Sequence, residues 1–136
     1  MRINPYLSFD GRCREAFEFY AHTFGGSIDM IMTQGESPIA DQLPPESRNA
    51  VMHAQMHVGD QVLMGGDAPA GSARPSGFCV TLNVDDVVEA ERLYAALADG
   101  GTAVMPIAET FWAQRFGIAH DRYGMPWMIN CLKPMP

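Results

Sequence analysis

The sequence predicts an α+β fold built from two tandem β-α-β-β-β modules, because short segments recur in the same order along the chain. Three pairs of segments match at an offset of 74 or 75 residues: FD at 9–10 with VD at 84–85, EAFEFY at 15–20 with EAERLY at 89–94, and GG at 25–26 with GG at 100–101. A nearly constant internal period indicates a repeated structural unit. We therefore expect a single domain over residues 1–136, with one module at about 1–67, a linker at 68–75 and a second module at about 76–134.

Each predicted module begins with a strand, at 5–9 in the first and at 78–84 in the second. An acidic side chain then stands where a helix needs an N-cap, Asp10 in the first module and Asp85 or Asp86 in the second. Apolar residues spaced i, i+3, i+4 and i+7 follow, which indicates an amphipathic helix in each module, and the glycine pairs are suited to left-handed C-caps. Three further strands are expected in each module: 27–34, 51–58 and 61–65 in the first, and 102–108, 114–120 and 126–132 in the second.

The connections between these strands carry local signals of their own. Gly59-Asp60 is typical of a tight hairpin turn, and residues 121–125 are expected to form the corresponding turn of the second module. Residues 35–50 contain three prolines and make a long loop, for which a functional lid and a disordered surface loop are both open. A lone four-stranded sheet buries too little apolar surface to be stable, so the modules must share a core, within one chain or across a dimer.

Composition excludes several classes of function. The chain has 9 basic and 16 acidic residues, a net charge of −7, so a nucleic-acid partner is not expected. No apolar run approaches the roughly 20 residues of a membrane span, and the first residues lack a secretory signal, which indicates a soluble cytoplasmic protein. The 3 cysteines form no C-x-x-C pair, which argues against a zinc knuckle or a disulfide framework.

Strand alternation predicts which side chains face a binding site. Successive side chains of a strand point to opposite faces. Tyr6 and Ser8 therefore share one face of the first strand, and His53 and Gln55 share one face of the third. In the last strand Met128 and Asn130 are expected to face the site, whereas the intervening apolar side chains are expected to pack against the helix: Trp127, Ile129 and Cys131.

Residues 109–115 (ETFWAQR) place two aromatic rings beside a carboxylate and a guanidinium, so that Trp112 and Arg115 are further candidates. Such a mixture suits a concave ligand site, and it equally suits a subunit interface. Ten methionines, several at strand positions, favour an adaptable lining for an aromatic or lipophilic ligand, or an ordinary core.

Several motifs resemble the PhnB-like branch of the vicinal-oxygen-chelate superfamily, which includes glyoxalase I, extradiol dioxygenases and bleomycin-resistance proteins. They cover nearly the whole chain: HA at 53–54, LMGGDAP at 63–69, SGF at 76–78, ETFWA at 109–113, FG at 116–117 and DRYGMPWMIN at 121–130. The resemblance implies two mixed sheets curled into half-barrels, whose concave faces form a pocket. We expect the modules to form a homodimer with pockets between paired half-barrels.

The resemblance also implies where a metal would bind. Metal-dependent members of the superfamily take one His, Gln or Glu ligand from each of the first, fourth, fifth and eighth strands. The matching positions here are Pro5 or Tyr6, Leu63 or Met64, Cys79, and Met128. Thioethers and one thiol do not suit a hard divalent ion, so neither a metal nor another cofactor is expected. Cys79 itself is open to interpretation as a nucleophile or as a core thiol.

Three functions are compatible with these observations. The first is a small-molecule binding protein without the usual metal site, in which Met64 and Cys79 line the site with the strand residues named above. The second is a metal-dependent isomerase, lyase or dioxygenase with a displaced site at His53; His57 lies on the same strand face, but about 13 Å away, too far to share one ion. The third is a dimeric scaffold without catalysis. Methyl transfer is disfavoured, because no glycine-rich turn leads from a strand into a helix.

Overall fold

The computed structural model describes residues 1–69, 71–74 and 76–134, and the chain divides into two units, Met1–Arg74 and Pro75–Pro136. The first unit contains β1 (Tyr6–Phe9), α1 (Cys13–Phe24), β2 (Ser27–Thr33), β3 (Val51–Val58) and β4 (Gln61–Asp67). The second contains β5 (Val80–Asn83), α2 (Val87–Ala98), β6 (Thr102–Ala108), β7 (Ala113–His120) and β8 (Pro126–Leu132).

Both units have the same sheet topology. The strand order is β1-β4-β3-β2 in the first unit and β5-β8-β7-β6 in the second. The β1–β4 and β5–β8 pairs are parallel and the other pairs are antiparallel, so each sheet is mixed. The predicted fold class, two β-α-β-β-β modules with mixed sheets, is confirmed. The fifth strand is shorter than expected, because its parallel pairing with β8 extends only from Val80 to Asn83.

In each unit one helix packs on the sheet and buries one face of that sheet. In the first unit the rings of Phe9, Phe17 and Tyr20 meet beneath α1, with the Phe9 and Phe17 centroids 6.1 Å apart in an edge-to-face arrangement. In the second unit Leu93 and Leu97 of α2 are buried. Because an amphipathic helix has one apolar stripe, it covers only one side of the sheet beneath it.

The two helices begin in different ways. Asp86 caps α2 as predicted, since its side chain accepts a hydrogen bond from the backbone N–H of Glu89 at 2.9 Å. The expectation that Asp10 caps α1 is wrong. The backbone N–H groups of Gly11 and Cys13 donate instead to Asp67 Oδ1, each at 3.0 Å. Asp67 ends β4, which pairs with β1, and this pairing brings a carboxylate to the helix from a distant part of the chain.

The helix ends and the turns follow the sequence more closely. Gly25 is the left-handed C-cap of α1, with φ of 70°, and Gly100 follows the C-cap of α2 with φ of 74°. The predicted hairpin turn at Gly59-Asp60 joins β3 to β4. These positions are set by local sequence, and the predictions for them are confirmed.

The long loop of the first unit is built from three short 3₁₀ helices, at Gln34–Glu36, Ala40–Gln42 and Pro45–Ser47. Its base is closed by two backbone hydrogen bonds, from Gln34 N–H to the carbonyl of Ala50 at 2.8 Å and from Gly35 N–H to the carbonyl of Arg48 at 3.0 Å. The loop therefore has local turn structure along most of its length.

No helix within the described residues has the length and apolar character that a bilayer crossing requires.

The turn between β7 and β8 is organised by a buried carboxylate. Asp121 is only 3% exposed. Its Oδ1 accepts hydrogen bonds from the backbone N–H groups of Tyr123 and Met125 at 2.8 and 2.9 Å, and its Oδ2 accepts from the indole N–H of Trp127 at 2.8 Å. The same side chain therefore closes the turn and fixes the largest ring of this core.

We predict that Asp121→Ala lowers the free energy of unfolding by about 3 kcal/mol, because it leaves buried N–H donors without an acceptor. Urea denaturation measures the change. Asp99→Ala is the matched control, since the Asp99 side chain is 80% exposed in its ion pair with Arg122, and its removal should change stability by less than about 0.5 kcal/mol. Equal effects of the two substitutions would contradict the assigned role of Asp121.

Candidate functional site

In each unit we call the sheet face opposite the helix the open face. The alternation along β8 shows the two faces clearly. Trp127, Ile129 and Cys131 are buried on the helix side, whereas Met128 and Asn130 are half-buried on the open face. This confirms the alternation predicted from the sequence for β8.

On the open face of the first unit, one row of paired residues crosses all four strands. Tyr6 of β1 pairs with Met64 of β4, Met64 pairs with Gln55 of β3, and Gln55 pairs with Met30 of β2. The structure thus brings together three of the residues predicted for the site, Tyr6, Gln55 and Met64. Met30 was not among the candidates, although the strand alternation of β2 could have indicated it.

Two further candidates lie next to this row. The imidazole of His53 stacks on the ring of Tyr6, with centroids 6.0 Å apart and planes inclined by 27°. Ser8 lies two residues beyond Tyr6 on the same face of β1 and pairs with Gly66. The first unit therefore presents a phenol, an imidazole, an amide and two thioethers on one surface.

The position of Tyr6 is fixed by its hydroxyl group. Tyr6 Oη donates to the carbonyl of Met52 at 3.3 Å. The residue at position 66 must be glycine to leave room for this hydroxyl, because a Cβ there would lie only 2.5 Å from Tyr6 Oη. Burial raises the pKa of the Tyr6 phenol, and the nearby Cys13 and Asp67 raise it further. The hydroxyl therefore stays protonated at neutral pH and remains a hydrogen-bond donor.

His57 has a separate partner on the neighbouring strand. Its Nδ1 lies 2.6 Å from Oδ1 of Asp29, and both side chains are partly exposed. His53 and His57 therefore belong to different local groups, one aromatic and one acidic. Across residues 1–69, 71–74 and 76–134, no cluster of three or more His, Cys, Asp or Glu side chains is arranged to hold a metal ion.

On the open face of the second unit, two rows of paired residues cross the sheet. One row contains Thr81, Met128, Ile118 and Met105, and the other contains Asn83, Asn130, Phe116 and Ala108. The ring of Trp112 packs edge-to-face on Phe116, with centroids 5.1 Å apart. Met128, Asn130 and Trp112 were predicted for the site, whereas Asn83 and Phe116 were missed.

Arg115 lies on the other face. It pairs with Cys131, whose side chain is buried on the helix side, and its Nε donates to Glu91 Oε1 of α2 at 2.8 Å. The expected grouping of a guanidinium with the carboxylate of Glu109 is also wrong, because Glu109 pairs with Lys133 at 3.2 Å. Regular alternation along β7 gives this orientation, because Arg115 shares its face with the buried residues Gly117 and Ala119.

The three cysteines are free and differ in accessibility. Cys13 and Cys131 are buried, whereas Cys79 is half-buried and lies one residue before β5. Burial raises the pKa of the Cys13 thiol to about 12, and the charge of Asp67 contributes to this increase. Cys13 is therefore a structural thiol.

The donors at the four positions where the resemblance implies a metal do not fit a hard divalent cation. The Tyr6 hydroxyl is engaged with a backbone carbonyl, and Met64 offers only a thioether. The Met128 sulfur lies 3.7 Å from the hydroxyl of Thr81, and Cys79 adds a single thiol. Divalent ions such as Zn²⁺, Mn²⁺ and Ni²⁺ are held by imidazole, carboxylate or several thiolates, and this set supplies none of these combinations.

Comparison with known proteins identifies relatives that span the chain. A family model described as 3-demethylubiquinone-9 3-methyltransferase matches residues 1–130. Protein YjdN of Escherichia coli (strain K12) is 36% identical over 145 residues, which cover 100% of this chain and 99% of that protein. The crystal structure of protein PA1353 from Pseudomonas aeruginosa has a TM-score of 0.89 and 41% identity, over 98% of this chain and 99% of that one.

More distant structures agree in fold alone. The PhnB protein from Bacillus cereus has a TM-score of 0.80 and 23% identity, over 96% of this chain and 99% of that one. The fosfomycin resistance protein FosX from Listeria monocytogenes has a TM-score of 0.67 at 8% identity, over 98% of this chain and 94% of that one. The predicted glyoxalase-like fold is thereby confirmed.

We predict that iodoacetamide at pH 8 labels Cys79 in the folded protein and leaves Cys13 unmodified. Only the thiolate is an efficient nucleophile, and a thiol with a pKa of about 12 is almost entirely protonated at that pH. Peptide mass spectrometry identifies the labelled site, and labelling in urea is the control that shows all three thiols react once exposed. Early labelling of Cys13 in the folded state would contradict the buried position.

Proposed function

We propose that this chain, which belongs to the 3-demethylubiquinone-9 3-methyltransferase family and has the glyoxalase-like fold, binds a small organic molecule on its open sheet faces without a metal ion. The proposed contact residues are Tyr6, Ser8, His53, Gln55 and Met64 in the first unit, and Cys79, Trp112, Met128 and Asn130 in the second.

The observation that carries this proposal is the chemical character of the open faces. The three rows of paired residues described above contain no Asp, Glu, Lys or Arg. Beside the row of the first unit, the carboxylate of Asp29 is paired with His57. They contain rings, thioethers, hydroxyls and amides. A sheet face that only meets water is ordinarily polar and charged, whereas ligand sites combine an apolar wall with a few orienting polar groups.

The same character favours an aromatic or lipophilic ligand. Phe116 and Trp112 offer ring faces and edges, and Tyr6 and His53 offer a second aromatic surface. Met64, Met128 and Met105 are flexible and polarizable, so they adapt to ligands of different shape. A net charge of −7 and the lack of a basic cluster disfavour an anionic ligand.

The family description names a methyltransferase, and we do not extend that activity to this chain. Nucleotide-type cofactors bind where a glycine-rich turn joins a parallel strand to a helix N-terminus. Here the strand-to-helix connections are DGR at 10–12 and VDD at 84–86. The first contains one glycine and the second contains none. These connections support binding without such a cofactor.

We also propose that the protein is a homodimer. Strand β6 lies at the sheet edge, and nearly all of its residues are exposed, including Val104 at 51% and Met105 at 46%. Phe111, just before β7, is 89% exposed. An apolar edge strand is a ready surface for pairing with another chain, and natural proteins usually cover it or protect it with charge.

The dimer proposal predicts that light scattering coupled to size-exclusion chromatography gives a solution mass of twice 14.9 kDa. Val104→Lys should shift the mass to that of one chain, because a lysine on the edge opposes strand pairing. Val88→Lys is the matched control, since Val88 is 73% exposed on α2 and should leave the dimer intact. A wild-type protein that stays monomeric at micromolar concentration would contradict this proposal.

The ligand proposal predicts that protein dialysed against EDTA binds a neutral aromatic probe, 6-methoxyquinoline, measured by isothermal titration calorimetry. Trp112→Ala should weaken binding about fivefold, because an aromatic contact contributes roughly 0.5–1.5 kcal/mol beyond its buried area. Val88→Ala, an apolar substitution on the exposed side of α2, should leave the Kd unchanged.

Metal dependence distinguishes this proposal from the alternative enzyme with a displaced site. Addition of Zn²⁺, Mn²⁺ or Ni²⁺ should change the Kd for 6-methoxyquinoline by less than about twofold, since no cation bridges the ligand and the protein in the proposed mode. Binding that appears only with a metal, and that His53→Ala abolishes, would contradict the metal-free proposal.

A further inference from the structure

The side chain of Asn130 combines two properties that rarely occur together. It lies on the open face of the second unit, and its Oδ1 is buried without a hydrogen-bond partner among the described residues. A buried acceptor that has no donor costs about 1–3 kcal/mol, so such atoms are uncommon in folded proteins. An unpaired acceptor on a candidate binding surface points to a donor that the ligand supplies.

The orientation of this amide is set by a neighbouring strand. Asn130 Nδ2 donates to Asn83 Oδ1 at 3.1 Å, and the two residues are directly paired between β8 and β5. An amide that donates through Nδ2 holds its Oδ1 at a fixed angle to that bond. Asn83, which sequence reasoning missed, therefore positions the acceptor of Asn130.

The free acceptor lies at the edge of an aromatic surface. Asn130 pairs with Phe116 across β8 and β7, and paired side chains of neighbouring strands have Cβ atoms roughly 5 Å apart. Trp112 also packs edge-to-face on Phe116. A planar ring that packs against Phe116 and Trp112 would thus bring a substituent on its rim to Asn130 Oδ1.

We propose that the open face of the second unit selects planar aromatic molecules that carry an O–H or N–H donor on the ring, and that Asn130 Oδ1 accepts this hydrogen bond. The inference rests on the proposed ligand-binding function and extends it to a ligand class. Phenols, hydroquinones and ring amides belong to this class, whereas quinones and aryl ethers without another donor do not.

Two neutral probes with the same ring system test the selectivity. 6-Hydroxyquinoline and 6-methoxyquinoline share the ring and the ring nitrogen, and only the former carries an O–H donor. We expect isothermal titration calorimetry to give a Kd about tenfold lower for 6-hydroxyquinoline with the wild-type protein. Asn130→Leu should bind both probes with the same Kd within about twofold, because the acceptor is gone.

Control variants separate the hydrogen bond from a loss of folding. Asn49→Leu, at an exposed loop position of the first unit, should retain the tenfold preference. Asn130→Leu should have a melting temperature equal to or above that of the wild type, since it removes an unpaired buried acceptor. Asn83→Leu should reduce the preference for 6-hydroxyquinoline to about threefold. Asn83→Asp should keep the tenfold preference of the wild type, because a carboxylate still accepts from Asn130 Nδ2.

The outcomes for the two proposals differ. Equal Kd values for the two probes in the wild type, or a preference for 6-methoxyquinoline, would overturn the selectivity of Asn130 and leave the ligand-binding proposal standing. A wild-type protein that binds neither probe would overturn both. A tenfold preference that survives in Asn130→Leu would show that another residue accepts the bond, and would overturn the role of Asn130.

Discussion

Each sheet of this protein has one helix to cover it within its unit, and the properties of the two faces follow from that constraint. The covered faces are apolar and tightly packed, with the rings of Phe17, Tyr20 and Trp127 fully buried. The opposite faces carry rings, thioethers and amides that are half-buried or exposed. The free energy of folding comes mainly from the covered faces, because burial of apolar area is the dominant favourable contribution. The open faces are thereby free to differ in chemistry, and the proposed binding of neutral organic ligands rests on that chemistry.

Two carboxylates hold the ends of the covered cores, one in each unit. Asp67 accepts from Gly11 and Cys13 through Oδ1, and from the backbone N–H of Val51 through Oδ2 at 2.8 Å, so it joins the start of α1 to the start of β3. Asp121 plays a comparable part at the turn between β7 and β8. In both cases a charged side chain satisfies several N–H groups that would otherwise lack partners, and charge-assisted bonds of this kind are stronger than neutral ones. These contacts fix where strands and helices meet, and so fix the rows of the open faces.

Much of the fold could be predicted from the sequence, because its signals are local or periodic. The two amphipathic helices, the Asp86 cap and the alternation along β8 all depend on residues within one element and its flanks. The cap of α1 could not be predicted in the same way, since the Asp67 carboxylate comes from a strand more than 50 residues away. Arg115 was grouped with Trp112 because both lie in one short segment, whereas alternation along β7 places Arg115 on the face of Gly117 and Ala119. Asn83 and Phe116 were missed since their importance lies in their neighbours on adjacent strands, and one sequence does not reveal strand register.

The different N-terminal caps of the two helices have a consequence for the order of folding. The cap of α2 needs only Asp86 and Glu89, three residues apart, so this helix can complete its first turn before any sheet contact exists. The first turn of α1 depends on an acceptor 54 to 56 residues ahead in the chain, and that contact requires closure of a long loop. The two copies of one structural unit would then acquire their helices at different stages of folding. In the second unit α2 would form early, whereas in the first unit α1 would be completed only after β4 has paired with β1.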